Sequence, residues 1–217
     1  MQIMRASRGI SNMNLPNPHG QFPKISDRAW IFETALIVGD VTIEDNVFVG
    51  PNAVIRADEP GSSIVICSGC NVQDNVVVHS LSNSEVRIGS NTSLAHGCIV
   101  HGPCQIEENC FIGFGAVVFD CNIGKDTLVL HRSIVRGVEI QEEKVVPDGA
   151  VITSPEAANA LEDLTTDLAE FKESVVRANI ELVKGYAEIH FGAEDILLNT
   201  FQESETEENQ GLKEYEP

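Results

Sequence analysis

From Ile88 to Val118 the chain reads IGSNTSLAHGCIVHGPCQIEENCFIGFGAVV, with large aliphatic residues at Ile88, Leu94, Val100, Ile106, Ile112 and Val118, every sixth position without a break. Upstream, the period of six runs through Ile25, Ile31, Ile37, Ile43, Val49 and Ile55, and again through Ile66, Val72 and Val78. Downstream it slips by one residue to Ile123, Val129 and Val135, and by another to Ile140, Val146 and Ile152. Strands of a sandwich would alternate with a period of two and break at turns every 8–12 residues or so, roughly. A sustained period of six instead predicts a parallel β-helix, in which each coil of about eighteen residues lays three short strands on three flat faces. Seven coils are predicted between about Ile25 and Thr153. Each strand then pairs with the coils above and below it, so the edges of the sheets are closed except at the two ends.

Two interruptions break the frame. Eleven residues separate Ile55 from Ile66, which reads as two repeats short by one residue. Ten separate Val78 from Ile88, which reads as one repeat with four residues inserted, a loop around Ser80 to Glu85.

A chain of 217 residues with 42% hydrophobic and 22% charged residues has the composition of a soluble globular protein with one sizeable core. No apolar run approaches a membrane span, and the first 24 residues lack an apolar signal-peptide segment, so a cytoplasmic location is the expectation. The net charge of −19 is divided as −7 over residues 1–153 and −12 over residues 154–217. Such a surface is a poor partner for nucleic acid or an anionic membrane.

Six cysteines include the C-x-x-C pair Cys67 and Cys70. Cys70, Cys98, Cys104 and Cys110 all take the fifth place of their hexapeptides, where a small side chain fits against the corner of a coil. Cys70 and Cys110 share a face but lie two coils apart, about 9–10 Å, beyond the reach of a disulfide. Buried free thiols are therefore expected.

Four segments follow: an N-terminal extension over 1–24, the β-helix over 25–153, helices over 154–201, and an acidic, disordered tail over 202–217. Ser154-Pro155-Glu156 is a helix start, with an N-cap serine, proline at the first position and an acid in the first turn. A longer helix is predicted from about Thr166 to Ile189. Its stripe, Leu168, Phe171, Val175, Ala178, Leu182, Tyr186 and Ile189, needs a face of a β-helix to cover, its own or a neighbour's. His190 at its end suits the helix dipole, and His19 reads as a surface residue.

The remaining histidines carry the chemistry. His79 and His101 each follow the aliphatic residue of their hexapeptides, and the 22 residues between them are one coil plus the four inserted. They are therefore stacked on one face about 4.8 Å apart, close enough for two imidazoles to share an ion with metal–nitrogen bonds of about 2.0–2.1 Å. His96 is third in its hexapeptide, on the preceding face and around a corner. A neighbouring subunit can bring that corner to the pair, and three-sided prisms associating in this way close as a cyclic trimer. The same frame puts Arg56 and Gln73 on the face of His96, one coil apart, with Asp58 and Asp74 close by. His131 shares the column of His96 two coils on, with Phe114 intervening, and reads as a non-ligand.

IRADE at 55–59, NVQDNVVVH at 71–79 and SLAHGCIVHGP at 93–103 resemble the gamma-class carbonic anhydrases, trimeric left-handed β-helices with a metal at each subunit interface. The resemblance runs from about Ala35 to Ser154, with a weaker echo at Val175 to Tyr186. It implies reversible hydration of CO2 to bicarbonate in a homotrimer. His79, His96 and His101 become the metal ligands, and Gln73, oriented by Asn71, the partner of the metal-bound hydroxide. Arg56, Asp58 and Asp74 match an interface cluster, Glu59 a carboxylate beside the metal, and Asn179 an amide behind the ligands. Two departures stand out. The long acidic loop after the first histidine is reduced to SLSNSEVR, with Glu85 its one acid, and a tyrosine two residues before Asn179 is replaced by Arg177.

Three neutral histidines leave a fourth position for water, whose pKa zinc lowers from 15.7 to about 7. Zn2+ is the default ion, and Fe2+ or Co2+ accept the same ligands. Glu59 is the candidate proton relay if burial raises its pKa; otherwise it caps the turn before Pro60. Two other functions fit the scaffold: an inactive or weakly active assembly or bicarbonate-binding module, which the short loop favours, and a hexapeptide acyltransferase.

Overall fold

The computed structural model describes residues 14–191, without the side chains of His190 and Phe191, so the expected tail at 202–217 and the dipole role of His190 lie outside the described residues. The fold is the left-handed parallel β-helix of about seven coils, followed by two helices. The first face carries Leu36–Gly39, Val54–Ala57, Val77–His79 and the beginnings of Ile99–Ile106 and Val117–Ile123, then Ile134–Arg136 and Val151–Ile152. Asn14–Leu15 adds a further rung in front of Leu36–Gly39. The third face runs from Trp30–Ile31 through Phe48–Val49, Asn71–Val72, Ser93–Leu94, Phe111–Ile112 and Leu128–Val129 to Lys144–Val146.

Local chemistry explains the turns. The backbone folds over at residues with positive φ, among them Asn46, Asn75, Asn91, Asn109 and Asp126, with Gly69, Gly97 and Gly115 at matching corners. Asn, Asp and Gly are the residues that enter the left-handed region at least cost. Between corners, every sixth aliphatic side chain points inward: Ile37, Ile55, Val72, Val78, Ile88, Leu94, Val100 and Ile112 are all fully buried in one axial core.

The frame needs one correction. Ile43 pairs with Ile66 and Ile55 with Val78, so the stretch from Ile55 to Ile66 is a single step between faces with five residues looped out, not two repeats short by one. A count of residues between aliphatics does not distinguish a shortened pair of repeats from one lengthened repeat; only pairing does. The second loop is confined to 80–84, because Glu85–Ile88 is already a strand of the second face, where Glu85 pairs with Ser63 and accepts a hydrogen bond from Gln105 Nε2 at 3.3 Å.

Helix α1 (Pro155–Asn159) starts as expected, with Ser154 Oγ accepting from the amide of Ala157. Helix α2 (Thr166–Phe191) lies, as far as Val183, in the same compact unit as the β-helix. Leu168 and Val175 pack with Ala95, Phe111 and Leu128 on the third face, and Phe171 sets its ring against Phe111 at 5.3 Å. The buried line along α2 is Lys172, Asn179 and Val183, one residue round from the expected stripe, and Phe171 and Leu182 stay exposed. On that line Lys172 Nζ lies 2.6 Å from Asp126 Oδ1 at a coil corner, an ion pair that neutralises the buried ammonium. Among the described residues no helix is long and apolar enough to cross a membrane.

All six cysteines are buried and free. Cys70 Sγ and Cys110 Sγ donate to the carbonyls of Gly89 and Gly124 at 3.0 and 3.2 Å. Cys104 and Cys121 pair across neighbouring strands, a juxtaposition the slip after Val118 obscures in the sequence.

Candidate metal centre

In-register stacking on the first face builds the site. Arg56, His79, His101 and Phe119 stand opposite one another on four successive coils. The alternation that buries Val78 and Val100 turns the neighbouring histidines outward. His79 Nδ1 is 3.0 Å from His101 Nε2, the rings meeting edge to face with centroids 4.9 Å apart. Phe119 backs His101 at 5.2 Å.

Acids surround the pair. Asp58 Oδ1 and Glu59 Oε1 lie 3.4 and 3.7 Å from His79 Nε2. His79 Nε2 and Asp58 Oδ1 are both buried without a hydrogen-bond partner. Arg56 Nη1 holds the other oxygen of Asp58 at 3.1 Å. Arg56 thus belongs to the histidine pair, not to the face of Gln73 and His96, a direct result of the five-residue loop. Burial, then the Arg56 guanidinium, then His101 push the His79 pKa down, which keeps its ring neutral and able to donate lone pairs.

Glu59 departs from expectation. Its Oε2 accepts from Ser82 Oγ at 2.6 Å and from Ser82 N at 2.8 Å. Those two bonds, hydroxyl first, hold its pKa below the ordinary glutamate range instead of burial raising it. Its side chain closes the second loop onto the first, while its backbone carbonyl accepts from Ser62.

His96 stands elsewhere, at the corner after the third-face strand Ser93–Leu94. Its Nδ1 is 3.5 Å from Asp74 Oδ2, and its backbone amide donates to Gln73 Oε1 at 3.2 Å. Arg56 and Asp58 therefore lie beside the pair, and Asp74 and Gln73 beside His96. Asn71 is buried under the third face, and neither atom of its carboxamide has a hydrogen-bond partner; Ser93, opposite it on the next coil, is buried with an unpartnered hydroxyl. Asn179 is buried on α2 and donates to its own helix at Val175 O.

The donor set fits a divalent ion on two counts. Two ligands at 2.0–2.1 Å in tetrahedral arrangement lie about 3.3 Å apart, close to the 3.0 Å between His79 Nδ1 and His101 Nε2. His79 Nε2, the other nitrogen of that ring, then faces Asp58 Oδ1 at 3.4 Å, the kind of outer carboxylate that orients a ligating histidine. Yet among the described residues no three His, Cys, Asp or Glu side chains of one chain gather as a metal cage.

Models of the bacterial transferase hexapeptide (six repeats) match residues 22–57 and 85–119, and that of the hexapeptide repeat of succinyl-transferase matches 40–80. The carbonic anhydrase of Methanosarcina thermophila is 38% identical over 193 residues, covering 79% of this chain and 78% of that one. The chain belongs to the gamma-class carbonic anhydrase family. Within the reach of this gamma-class fold is the carboxysome assembly protein CcmM of a Nostoc species, 35% identical over 75% of this chain; the match spans 31% of CcmM. The crystal structure of a hexapeptide transferase family protein from Anaplasma phagocytophilum has a TM-score of 0.67 at 25% identity, over 79% of this chain and 96% of that one.

Sequence reasoning missed Ser82 and the contact of His131 with Phe114, whose rings stack with centroids 4.3 Å apart. Ser82 left no signal, being one serine among three in a polar loop. The ring pair was foreshadowed by the shared column of His96, Phe114 and His131.

Proposed function

We propose that the protein is a metal-dependent carbonic anhydrase, working as a homotrimer in the cytoplasm, that interconverts CO2 and bicarbonate. The observation that carries this reading is the His79–His101 pair at 3.0 Å, with a buried, unpartnered His79 Nε2 and the third family histidine on a different face. His96 of one subunit completes the ligand set of the next. An apolar ladder on the outward side of the first face, Val54, Val77, Ile99, Val117, Ile134 and Val151, favours such self-association; Ile99, Ile134 and Val151 are 38%, 39% and 60% exposed in the protomer.

His79, His101 and His96 would hold Zn2+, with Fe2+ and Co2+ fitting the same imidazoles. When bound, such an ion acidifies water enough to supply hydroxide for attack on CO2 near neutral pH. Gln73, its Oε1 already anchored by the amide of His96, orients the nucleophile, and Asn71, whose carboxamide has no partner in the protomer, is its expected support. Arg56, fixed by Asp58, balances the carboxylates beside the pair, and in the proposed trimer it would pair with Asp74 of the neighbouring subunit. Ser82 holds the Glu59 carboxyl below its ordinary range, which weakens it as a proton acceptor, and buffer offers the product proton a second route. The decisive experiment is anaerobic purification with metal analysis and CO2-hydration assay on the same sample; metal-loaded trimer without activity would sink the enzymatic reading. It would favour the second one, an assembly or bicarbonate-binding module, which the likeness to CcmM and the short loop support.

A further inference from the structure

His96 is the most exposed of the three histidines, its side chain 53% accessible, with the 3.5 Å approach of Asp74 as its polar contact. A ligand so placed has rotamers to lose when it binds an ion. The column behind it is aromatic. Phe114, on the next coil, tilts its ring against His96 at 5.5 Å and 38°. On the coil beyond, His131 stacks on Phe114 at 4.3 Å and 13°. His131 cannot swing away: its Nδ1 accepts from the amide of Phe114 at 3.0 Å, and its own amide donates to Asp148 Oδ1 at 2.8 Å. The absence of a side chain at Gly113 permits this, since a Cβ there would sit 2.8 Å from His131 Nδ1. The edge of His131 then rests on Phe111, which is buried under α2. The rings form a continuous brace from α2 and the core to the exposed histidine.

We infer that Phe114 and His131 are positioning residues, a stacked pair that sets the ring of His96 for metal binding. The inference rests on the proposed metal site and adds to it the elements that preorganise its exposed ligand. Neither residue touches the ion; His131 acts through Phe114, and Phe114 through His96. A stack worth little by itself lowers the ordering cost of the ligand, and outer partners of metal-binding histidines typically change affinity by about 10- to 100-fold.

The test uses the full-length protein with Co2+ as the probe, read by chelator competition and by the visible absorption of the bound ion, with oligomeric state followed by sedimentation. Phe114→Ala should weaken Co2+ binding by about 10- to 100-fold and alter the absorption bands, while the trimer persists. Phe114→Tyr, which keeps the stack, should restore both, and His96→Ala should lose more than either. Wild-type affinity and spectrum in Phe114→Ala, beside a clear loss in His96→Ala, would overturn the positioning role and leave the site reading standing. Loss of affinity only where the trimer falls apart would overturn it too. Wild-type Co2+ binding by His96→Ala would remove the site reading and this inference together.

Discussion

His79 Nδ1 and His101 Nε2 meet at 3.0 Å across neighbouring coils, although 22 residues separate them in the chain. The third candidate ligand, His96, turns a corner away from them. Mixing His79→Ala with His96→Ala protein should therefore rebuild sites wherever an intact pair faces an intact His96. Random exchange of equal amounts in a three-site ring predicts about one quarter of wild-type metal occupancy. Metal analysis after demonstrated subunit exchange checks this, and no recovered metal would exclude a shared site.

Ser82 keeps the Glu59 carboxylate ionised to lower pH. Its hydroxyl and amide lower the folded-state pKa of the carboxyl below the unfolded value. The stabilisation is thus fully present above the ordinary glutamate pKa of about 4.3 and fades as pH falls through the lowered one. Ser82→Ala should raise the Glu59 pKa toward the ordinary range in a carboxyl NMR titration. An unmoved titration would mean that the loop contact does not form in solution.

Asp126 carries the docking of α2. It neutralises a lysine whose side chain is 6% exposed, whereas its own is 25% exposed. Asp126→Asn tolerates the left-handed backbone at φ 59° but strands the cation, an expected loss of about 3 kcal/mol in denaturant unfolding. Lys172→Met should cost much less, because the carboxylate left behind rehydrates. Equal losses from the two substitutions would contradict this asymmetry.

Thiol chemistry should be silent in the native state. Burial pushes Cys70 and Cys110 up to about 12 and raises Cys98 as well. At pH 8 these three are expected to resist a disulfide reagent until the protein is unfolded, when all six cysteines should react. Rapid labelling of Cys70 or Cys110 in folded protein would show that the coils open locally.

The period of six made the faces and the axial core legible, because one aliphatic per step decides which way each residue points. It also placed His79 over His101. Arg56 falls on the wrong face because spacing alone absorbs Asp58-Glu59-Pro60-Gly61-Ser62, a loop by composition, into the repeat, and a one-step error in phase moves a residue to another face. The orientation of α2 escaped for a different reason. An apolar stripe at helical spacing names the side chains that need covering, and within the protomer Leu168 and Val175 are covered while Phe171 and Leu182 are not; the Lys172–Asp126 pair, joining residues 46 apart, left no pattern in the sequence. For Glu59 the sequence offers a buried relay or a cap of the turn before Pro60, and the contact that governs it comes from a serine with no pattern around it.

Stacking in register has a consequence for how the site could be moved. Strands of the first face pair in register, so the column that offers His79 and His101 offers His101 and Phe119 one rung further along. The column of His96 likewise offers Phe114. Phe119→His with Phe114→His, in a chain whose His79 and His96 are replaced by alanine, would present the same three-ligand arrangement translated by one coil, about 4.8 Å. The location of this centre along the axis is then a choice of side chains at these paired rungs, open to relocation by design.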